Sequence, residues 1–283
     1  MGGLLFLVVP LLLMPAGLAA QGEEGVIDTT TPPVSPTRWD KVENDLSIIG
    51  RDGLGYLTAP ARWSPVEWGV AGGAVIGSGG LSLADSSLAA HTQQTTFSPT
   101  LATTFDVGSQ YGELVYAQIL TVGMYGTGVG LDHDGIRVTG RMLVQTLLYS
   151  GAVTMGLRYL LGRERPSEAD DPHCFGFFQT DNEHQAFPSG HTTVAFAISS
   201  ILADRISEPV VTVALYSMAT LTAISRVAKN RHWASDVFFG AAVGVATGHY
   251  VIARQHEREG PDDSPQGLLI RPYPVGVMLT MRW

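Results

Sequence analysis

The sequence predicts an all-α protein, a bundle of six helices followed by a short β-type tail. Two observations predict the bundle. The chain has 283 residues, of which 45% are hydrophobic and 15% charged, whereas roughly 25% charged residues are usual in soluble domains. Its apolar stretches are long enough for helices and lack the period-2 alternation of strands. The length allows one large domain with a sizeable core.

The N-terminal part of the chain is predicted to lie outside the bundle. Residues 1–20 carry no charged side chain, and an apolar run is followed there by small residues, which is typical of a cleaved secretory signal peptide. The alternative is a retained membrane anchor, although Pro10 and Pro15 interrupt a run shorter than the roughly 20 residues of a span. Residues 21–62 are expected to form an N-terminal arm that begins with a polar, proline-rich segment.

The predicted helical domain covers residues 63–258. Its apolar stretches are rich in small residues, which allow helices to approach closely. The six stretches are 66–84, 105–128, 141–162, 190–206, 209–226 and 234–254. Pro166 is predicted to end the third helix and Pro209 to begin the fifth.

Two cellular locations are compatible with these stretches. An exported periplasmic protein, soluble or associated with a membrane surface, is favoured by the mean hydropathy of +0.15 and by Glu113, because a carboxylate inside a lipid-facing helix is costly. An integral inner-membrane protein is the second choice. The formal net charge of −9 disfavours a nucleic-acid partner, which requires clustered basic residues. The oligomeric state is left open.

The C-terminal tail, residues 259–283, has a different pattern. From Val275 to Trp283 apolar residues alternate with others, as in a β-strand. We expect this segment to pair with Leu268–Arg271 or to pack on the bundle.

The first of three motif blocks is RYLLGRERP. Arg158 and Arg165 are seven residues apart, which predicts that both lie on one face of a helix before Pro166 ends it. Guanidinium groups match phosphate oxygens with two parallel hydrogen bonds. The alternative is a pair of surface arginines near a helix end.

The second block is AFPSGHTTVAF, Ala186–Phe196. Pro188 fixes its own φ, Ser189 is a favourable N-cap, Gly190 leaves space for a ligand, and His191 falls in the first helical turn. The unpaired N–H groups at a helix start favour an anion. The alternative is an ordinary helix cap beside a histidine.

The third block is SRVAKNRHWASD. Ser225 and Arg226 lie at the end of the fifth predicted helix, and His232 and Asp236 are spaced i,i+4 near the start of the sixth. This spacing predicts that the carboxylate faces one ring nitrogen and leaves the other free, so that the histidine can attack phosphorus. The alternative is a solvated histidine–aspartate pair.

Together the three blocks predict one phosphate site. The arginines and the Ser189–Gly190 backbone would hold phosphoryl oxygens, one histidine would attack, and His191 would protonate the leaving oxygen. The substrate would be a phosphate ester or a lipid phosphate. No cluster with metal-ligand spacing occurs in the sequence, and three cationic side chains can hold the phosphoryl group, so no metal or other cofactor is expected.

The blocks resemble the pattern of the type 2 phosphatidic acid phosphatase superfamily, which includes bacterial acid phosphatases and vanadium haloperoxidases. That pattern is Lys-x6-Arg-Pro, then Pro-Ser-Gly-His, then Ser-Arg-x5-His-x3-Asp. The chain matches it in order and spacing over residues 158–236, with Arg158 in place of the lysine. The resemblance implies a six-helix bundle of that kind and metal-independent hydrolysis of phosphomonoesters, lipid phosphates or diphosphates through a phosphohistidine.

The resemblance also implies a role for each site residue. His232 is the nucleophile, Asp236 orients it, and His191 is the general acid. The implied phosphate-binding residues are Arg158, Arg165, Ser189, Gly190 and Arg226. Pro188 and Ser225 are the implied supporting residues. Two alternatives stay open, a vanadium-dependent haloperoxidase and a non-catalytic bundle that binds phosphate or lipid.

Overall fold

The computed structural model describes residues 35–169, 171–260, 268–273 and 276–281. Within these residues the regular secondary structure is helical apart from one two-stranded ladder and an isolated bridge, which confirms the predicted all-α class. The helices are α1 (Arg38–Thr58), α2 (Pro65–Ser82), α3 (Asp85–Gln94), α4 (Pro99–Tyr111), α5 (Leu114–Gly130), α6 (Asp134–Leu161), α7 (Gly190–Ile206), α8 (Pro209–Ala228) and α9 (Ala234–Glu259), with a 3-10 helix at Ala59–Arg62. The predicted signal peptide lies outside the described residues.

The described part of the chain forms nine α-helices, not the predicted six. The apolar stretch 105–128 is two helices, since α4 ends at Tyr111 and α5 begins at Leu114. Glu113 lies between them, at the N-cap position of α5. The sequence argument that placed this carboxylate inside a helix was therefore wrong.

Helix α1 lies where the sequence predicted an arm. It begins with a capping box, in which the Asp40 N–H donates to the Thr37 hydroxyl (3.2 Å) and the Thr37 N–H donates to the Asp40 carboxylate (2.7 Å). A capping box satisfies N–H groups that have no partner inside the helix. The buried residues Asp45 and Asp52 then join α1 to α6 and α9.

Helix α7 is central, because it packs against α6, α8 and α9. The main apolar core comes from α5, α6, α7 and α9 and comprises Ala117, Met142, Leu143, Tyr149, Ile198, Ile201, Val251 and Ile252. On α9, Gly240, Gly244 and Gly248 are spaced by four and face α7. A Cβ on Gly244 would lie 2.5 Å from the Thr193 carbonyl oxygen. The missing side chains therefore let the two helices approach closely and bring the motif residues at their N-termini together.

Helix α6 ends earlier than Pro166 predicts. Its last residue is Leu161, and Gly162 follows in the left-handed conformation with φ 55°, which glycine adopts without steric cost. Arg158 lies on the last turn of the helix, whereas Arg165 lies in the following loop. The prediction that both arginines share one helical face was therefore wrong.

The tail forms two antiparallel strands, β1 (Leu268–Tyr273) and β2 (Gly276–Met281), with Leu268 opposite Met281. Pairing with the 268–271 segment was one of the two outcomes that the alternating sequence predicted, and the structure confirms it.

Two of the described helices, α8 and α9, are long and apolar enough to cross a membrane. Many large apolar side chains face outward, on these helices and on others. Examples on α2, α5 and α8 are Ile76, Val122 and Val210, which are 77%, 67% and 81% exposed. Exposed apolar surface of this extent is typical of a membrane or partner contact. These findings are consistent with the integral-membrane location, which was the second choice, while export and solubility stay predictions.

Candidate active site

The three motif blocks meet at the N-terminal ends of α7 and α9. Arg158 Nε donates to the Pro188 carbonyl oxygen (3.1 Å), and the Ser189 N–H donates to the Asp236 carbonyl oxygen (3.1 Å). His232 Nδ1 lies 2.7 Å from the Ala186 carbonyl oxygen. Every block is thus joined to another by a hydrogen bond.

The geometry of His232 fixes its tautomer. Only 2% of the residue is exposed. A carbonyl oxygen can only accept, so Nδ1 carries the proton that it shares with Ala186 and Nε2 presents a lone pair. Burial, together with the positive charges of Arg158, Arg165 and Arg226, holds the pKa of His232 well below its usual value. The imidazole is therefore neutral near pH 7, which is the state that a nucleophile needs.

Asp236 does not bond directly to His232. Its Oδ2 atom is 3.8 Å from His232 Nδ1, beyond hydrogen-bond range. It accepts instead from the Trp233 N–H (2.8 Å) and from Arg163 Nη1 (2.6 Å). The spacing predicts that this carboxylate faces a ring nitrogen of His232, but the hydrogen-bond partner of Nδ1 is the Ala186 carbonyl. Asp236 fixes the backbone that directly follows His232.

Arg163, which the sequence reasoning missed, is the centre of a buried cluster. It is 3% exposed and donates to Asp85 (2.9 Å), to Asp236 and to the Ser235 hydroxyl (2.7 Å). The cluster ties the loop after α6 to the starts of α3 and α9. Sequence offered no direct signal for it, since Asp85 is 78 positions from Arg163.

The three arginines that match the family pattern have no carboxylate partner among the described residues. We name Arg158, Arg165 and Arg226 the unpaired arginine cluster, because none of them forms an ion pair within the part of the chain that the structure describes. All three donate to neutral acceptors. Arg158 donates to the Pro188 carbonyl oxygen, Arg165 to the Asn182 amide oxygen (2.9 Å) and Arg226 to the Ser109 hydroxyl (3.3 Å). Partly buried cations without counter-charge favour binding of an anion.

Ser189 and Gly190 shape the start of α7. Ser189 occupies the predicted N-cap position, but its hydroxyl makes no cap bond and pairs with the Thr192 hydroxyl (3.0 Å). The bond from Phe187 to Pro188 is cis. A Cβ on Gly190 would lie 2.8 Å from Arg158 Nη2, so glycine lets the guanidinium lie against the helix start. These contacts place Arg158 beside the first helical N–H groups.

The second motif histidine has a partner that the sequence did not suggest. His191 Nε2 lies 2.9 Å from a carboxylate oxygen of Glu113.

Ser225 is fully buried, donates to the Thr222 carbonyl oxygen (2.7 Å), and lies 3.0 Å from the hydroxyl of Ser109. It therefore supports the serine that contacts Arg226.

One protein-family model matches the segment that carries the three motif blocks. Residues 140–259 match the model of the PAP2 superfamily, which is the type 2 phosphatidic acid phosphatase superfamily, and they include all three blocks. This part of the chain is therefore similar to that superfamily, as the blocks predict.

Curated relatives share the same region. A protein of Porphyromonas gingivalis named lipid A 1-phosphatase is 39% identical over 115 residues, covering 38% of this chain and 23% of its own length. Proteins of the same name from Rhizobium johnstonii and Rhizobium etli are each 33% identical over 110 residues, covering 37% of this chain and 43% and 45% of their own lengths. The matched region thus spans less than half of these relatives.

Two solved structures are also similar. Aquifex aeolicus LpxE superposes with a TM-score of 0.43 and 18% identity, over 56% of this chain and 88% of that one. A transmembrane PAP2-type phosphatidylglycerolphosphate phosphatase from Bacillus subtilis superposes with a TM-score of 0.47 and 19% identity, over 70% and 98% of the two chains.

Proposed function

We propose that this protein is a phosphatase that hydrolyses a phosphomonoester or diphosphate on a lipid through a phosphohistidine. The observation that carries the proposal is the unpaired arginine cluster beside a neutral histidine whose Nε2 lone pair is free. Three guanidinium groups supply the positive charge that a phosphoryl group requires in the transition state, without a metal ion.

In the first step, His232 Nε2 attacks phosphorus and a P–N bond forms. The bond from phosphorus to the ester oxygen breaks, and the departing oxygen takes a proton from His191. The Ala186 carbonyl stabilises the charge that develops on the His232 ring, because it accepts from Nδ1. The arginines and the first N–H groups of α7 hold the three equatorial oxygens.

In the second step, His191 removes a proton from a water molecule, which attacks phosphorus. The P–N bond breaks, inorganic phosphate leaves, and His232 regains its lone pair on Nε2. Asp236 acts throughout by fixing the Trp233 N–H, so that the ring of His232 stays in line with the phosphorus atom.

A lipid substrate is supported by two features. Relatives that share the motif region are named lipid A 1-phosphatases, and the helices carry extensive exposed apolar surface. We infer that α8 and α9 cross a membrane and that the site lies near one surface of the bilayer, where a lipid headgroup reaches it. The same proposal includes export of the chain and removal of residues 1–20 as a signal peptide.

The test is phosphate release by purified protein from a panel that contains a soluble aryl phosphate, phosphatidate, an isoprenyl diphosphate and lipid A, each with and without chelator. We expect lipid substrates to have the higher kcat/KM and chelator to have no effect. Loss of activity in chelator that a divalent metal restores would refute the arginine-only mechanism. Binding of vanadate without phosphate release from any substrate would favour a non-catalytic bundle, and halide oxidation with vanadate and peroxide would favour the haloperoxidase alternative.

A further inference from the structure

We propose that Glu113 is a positioning residue, which holds the ring of His191 and keeps it able to carry a second proton during turnover. The inference deepens the proposed phosphatase function and rests on it. Neither the three motif blocks nor the matched family segment, residues 140–259, includes Glu113.

The first support is the contact itself. The Glu113 carboxylate lies 2.9 Å from His191 Nε2, within normal hydrogen-bond range. An ionised carboxylate only accepts, so Nε2 carries a proton and Nδ1 is the atom left to exchange a proton with the leaving oxygen. Nδ1 has no hydrogen-bond partner within the described residues. The carboxylate thus assigns the ring nitrogens their separate tasks.

The second support is the way in which the chain presents this carboxylate. Glu113 is the N-cap residue of α5, yet its side chain makes no cap bond. The preceding Gly112 lies against His191, and a Cβ there would overlap the His191 carbonyl oxygen and lie 2.5 Å from Thr222 Cγ2. The turn between α4 and α5 can approach α7 only because position 112 is glycine. This close approach brings Glu113 within reach of the ring.

The third support is electrostatic. Burial and the positive charges of Arg226 and Arg158 lower the pKa of His191, whereas Glu113 raises it. Arg226 lies on α8 and Arg158 on α6, so each of these two helices presents a cation to His191. Glu113 presents an anion to the same ring. A general acid must be protonated when the leaving oxygen departs. The net result is a pKa of about 4 for His191, and Glu113 counteracts part of the lowering, so the imidazolium is more accessible with this carboxylate than without it.

The experiment compares Glu113→Gln with Glu208→Gln in the full-length protein. Glu208 is a matched control, because it too is a helix N-cap residue without a side-chain cap bond, at the start of α8. A general acid is active when protonated, so kcat falls as pH rises through its pKa. Removing the negative charge lowers that pKa, and we expect the basic limb of the kcat–pH profile to move about one to three units lower in Glu113→Gln and to stay in place in Glu208→Gln.

Leaving-group dependence adds a second kinetic readout. Glu113→Gln should lose more activity on an alkyl phosphate, whose leaving oxygen is basic, than on an activated aryl phosphate. His191→Asn should show the same preference more strongly. Equal losses on both substrates with an unchanged pH profile would overturn the inference, because a merely structural glutamate predicts that result.

Titration of the His191 ring by NMR separates this inference from the proposed function, because it needs no turnover. A lower midpoint in Glu113→Gln than in wild type supports the inference, and the same midpoint in both proteins overturns it. A wild-type protein that releases no phosphate from any substrate refutes the phosphatase proposal, whatever the titration shows.

Discussion

The two ends of the bundle use arginine in opposite ways. At one end lies the unpaired arginine cluster of Arg158, Arg165 and Arg226. At the other lies a paired arginine cluster, which we define as Arg137 and Arg141 bound to Asp45, together with Arg258 bound to Asp52. Helix α6 contributes to both, and its Arg141 and Arg158 are separated by about 25 Å along the helix.

The difference separates a cluster that joins helices from one whose positive charge is left available to an anion. Both aspartates of the paired cluster are buried, and their charges are neutralised within the protein, so the cluster joins α1 to α6 and α9. Positive charge without a counter-ion opposes folding. The motif end nevertheless keeps this positive charge without a counter-ion. Such an arrangement is typical of a functional site, because residues there bind a ligand at some cost in local stability.

The largest expected effect comes from removing the group that the unpaired cluster surrounds. His232→Gln should lower kcat by about 10³-fold or more, since the proposed mechanism forms its covalent intermediate on this ring. Phosphate release and circular dichroism measure activity and fold. The exposed His91 supplies the control, and His91→Gln should match wild type. Substantial activity in His232→Gln would assign the nucleophile elsewhere.

Removing one unpaired arginine should damage function and spare stability. Arg226→Met is expected to lower kcat/KM by about 10²-fold, as loss of one transition-state donor does elsewhere, while the thermal midpoint stays the same or rises. Vanadate, which mimics phosphorus under attack, should stabilise the wild type against heat and have little effect on the variant. A large fall in the midpoint would show that Arg226 is structural.

Removing one paired arginine should do the reverse. Arg141→Met leaves Asp45 with the ion pair to Arg137 and the hydrogen bond from the Tyr125 hydroxyl, and it deprives the Gln255 amide oxygen of its Arg141 donor. We expect the free energy of unfolding to fall by about 3 kcal/mol, with kcat per folded molecule unchanged. Denaturant titration and active-site titration measure the two quantities. Lost turnover in a fully folded variant would contradict the division between the clusters.

The smallest effect is expected where this chain departs from the family pattern that its motif blocks resemble. Arg158→Lys restores the lysine of the family pattern, keeps the charge and loses the Nε bond to Pro188. Because lysine holds phosphate as a point charge, kcat/KM should change by less than about tenfold, with a weaker vanadate effect. Arg158→Met, which lacks the charge, is the matched variant and should lose about as much activity as Arg226→Met.

The sequence by itself determined the helical class, and it identified most residues of the candidate site. The apolar stretches had no period of two, so helices were the remaining choice, and the three blocks carried their residue types at fixed spacing. Helices α2, α7, α8 and α9 begin within one residue of the predicted stretches. For α2, α7 and α8 the reason is local, because Pro, Ser or Gly marks the start of the helix.

Only the tertiary structure decided which groups hold the histidines. Spacing suggested Asp236 for His232, but i,i+4 proximity does not specify a hydrogen bond, and the Ala186 carbonyl from another part of the chain lies closer. Glu113 contacts His191, which is 78 positions away in the chain. It does so from the turn between α4 and α5, which the hydropathy pattern did not reveal because the turn lies inside one continuous apolar stretch. Arg163 and Arg165 are two residues apart, yet one is buried among carboxylates and the other faces the site. Contacts between distant segments depend on how helices pack, and local sequence carries no record of that packing.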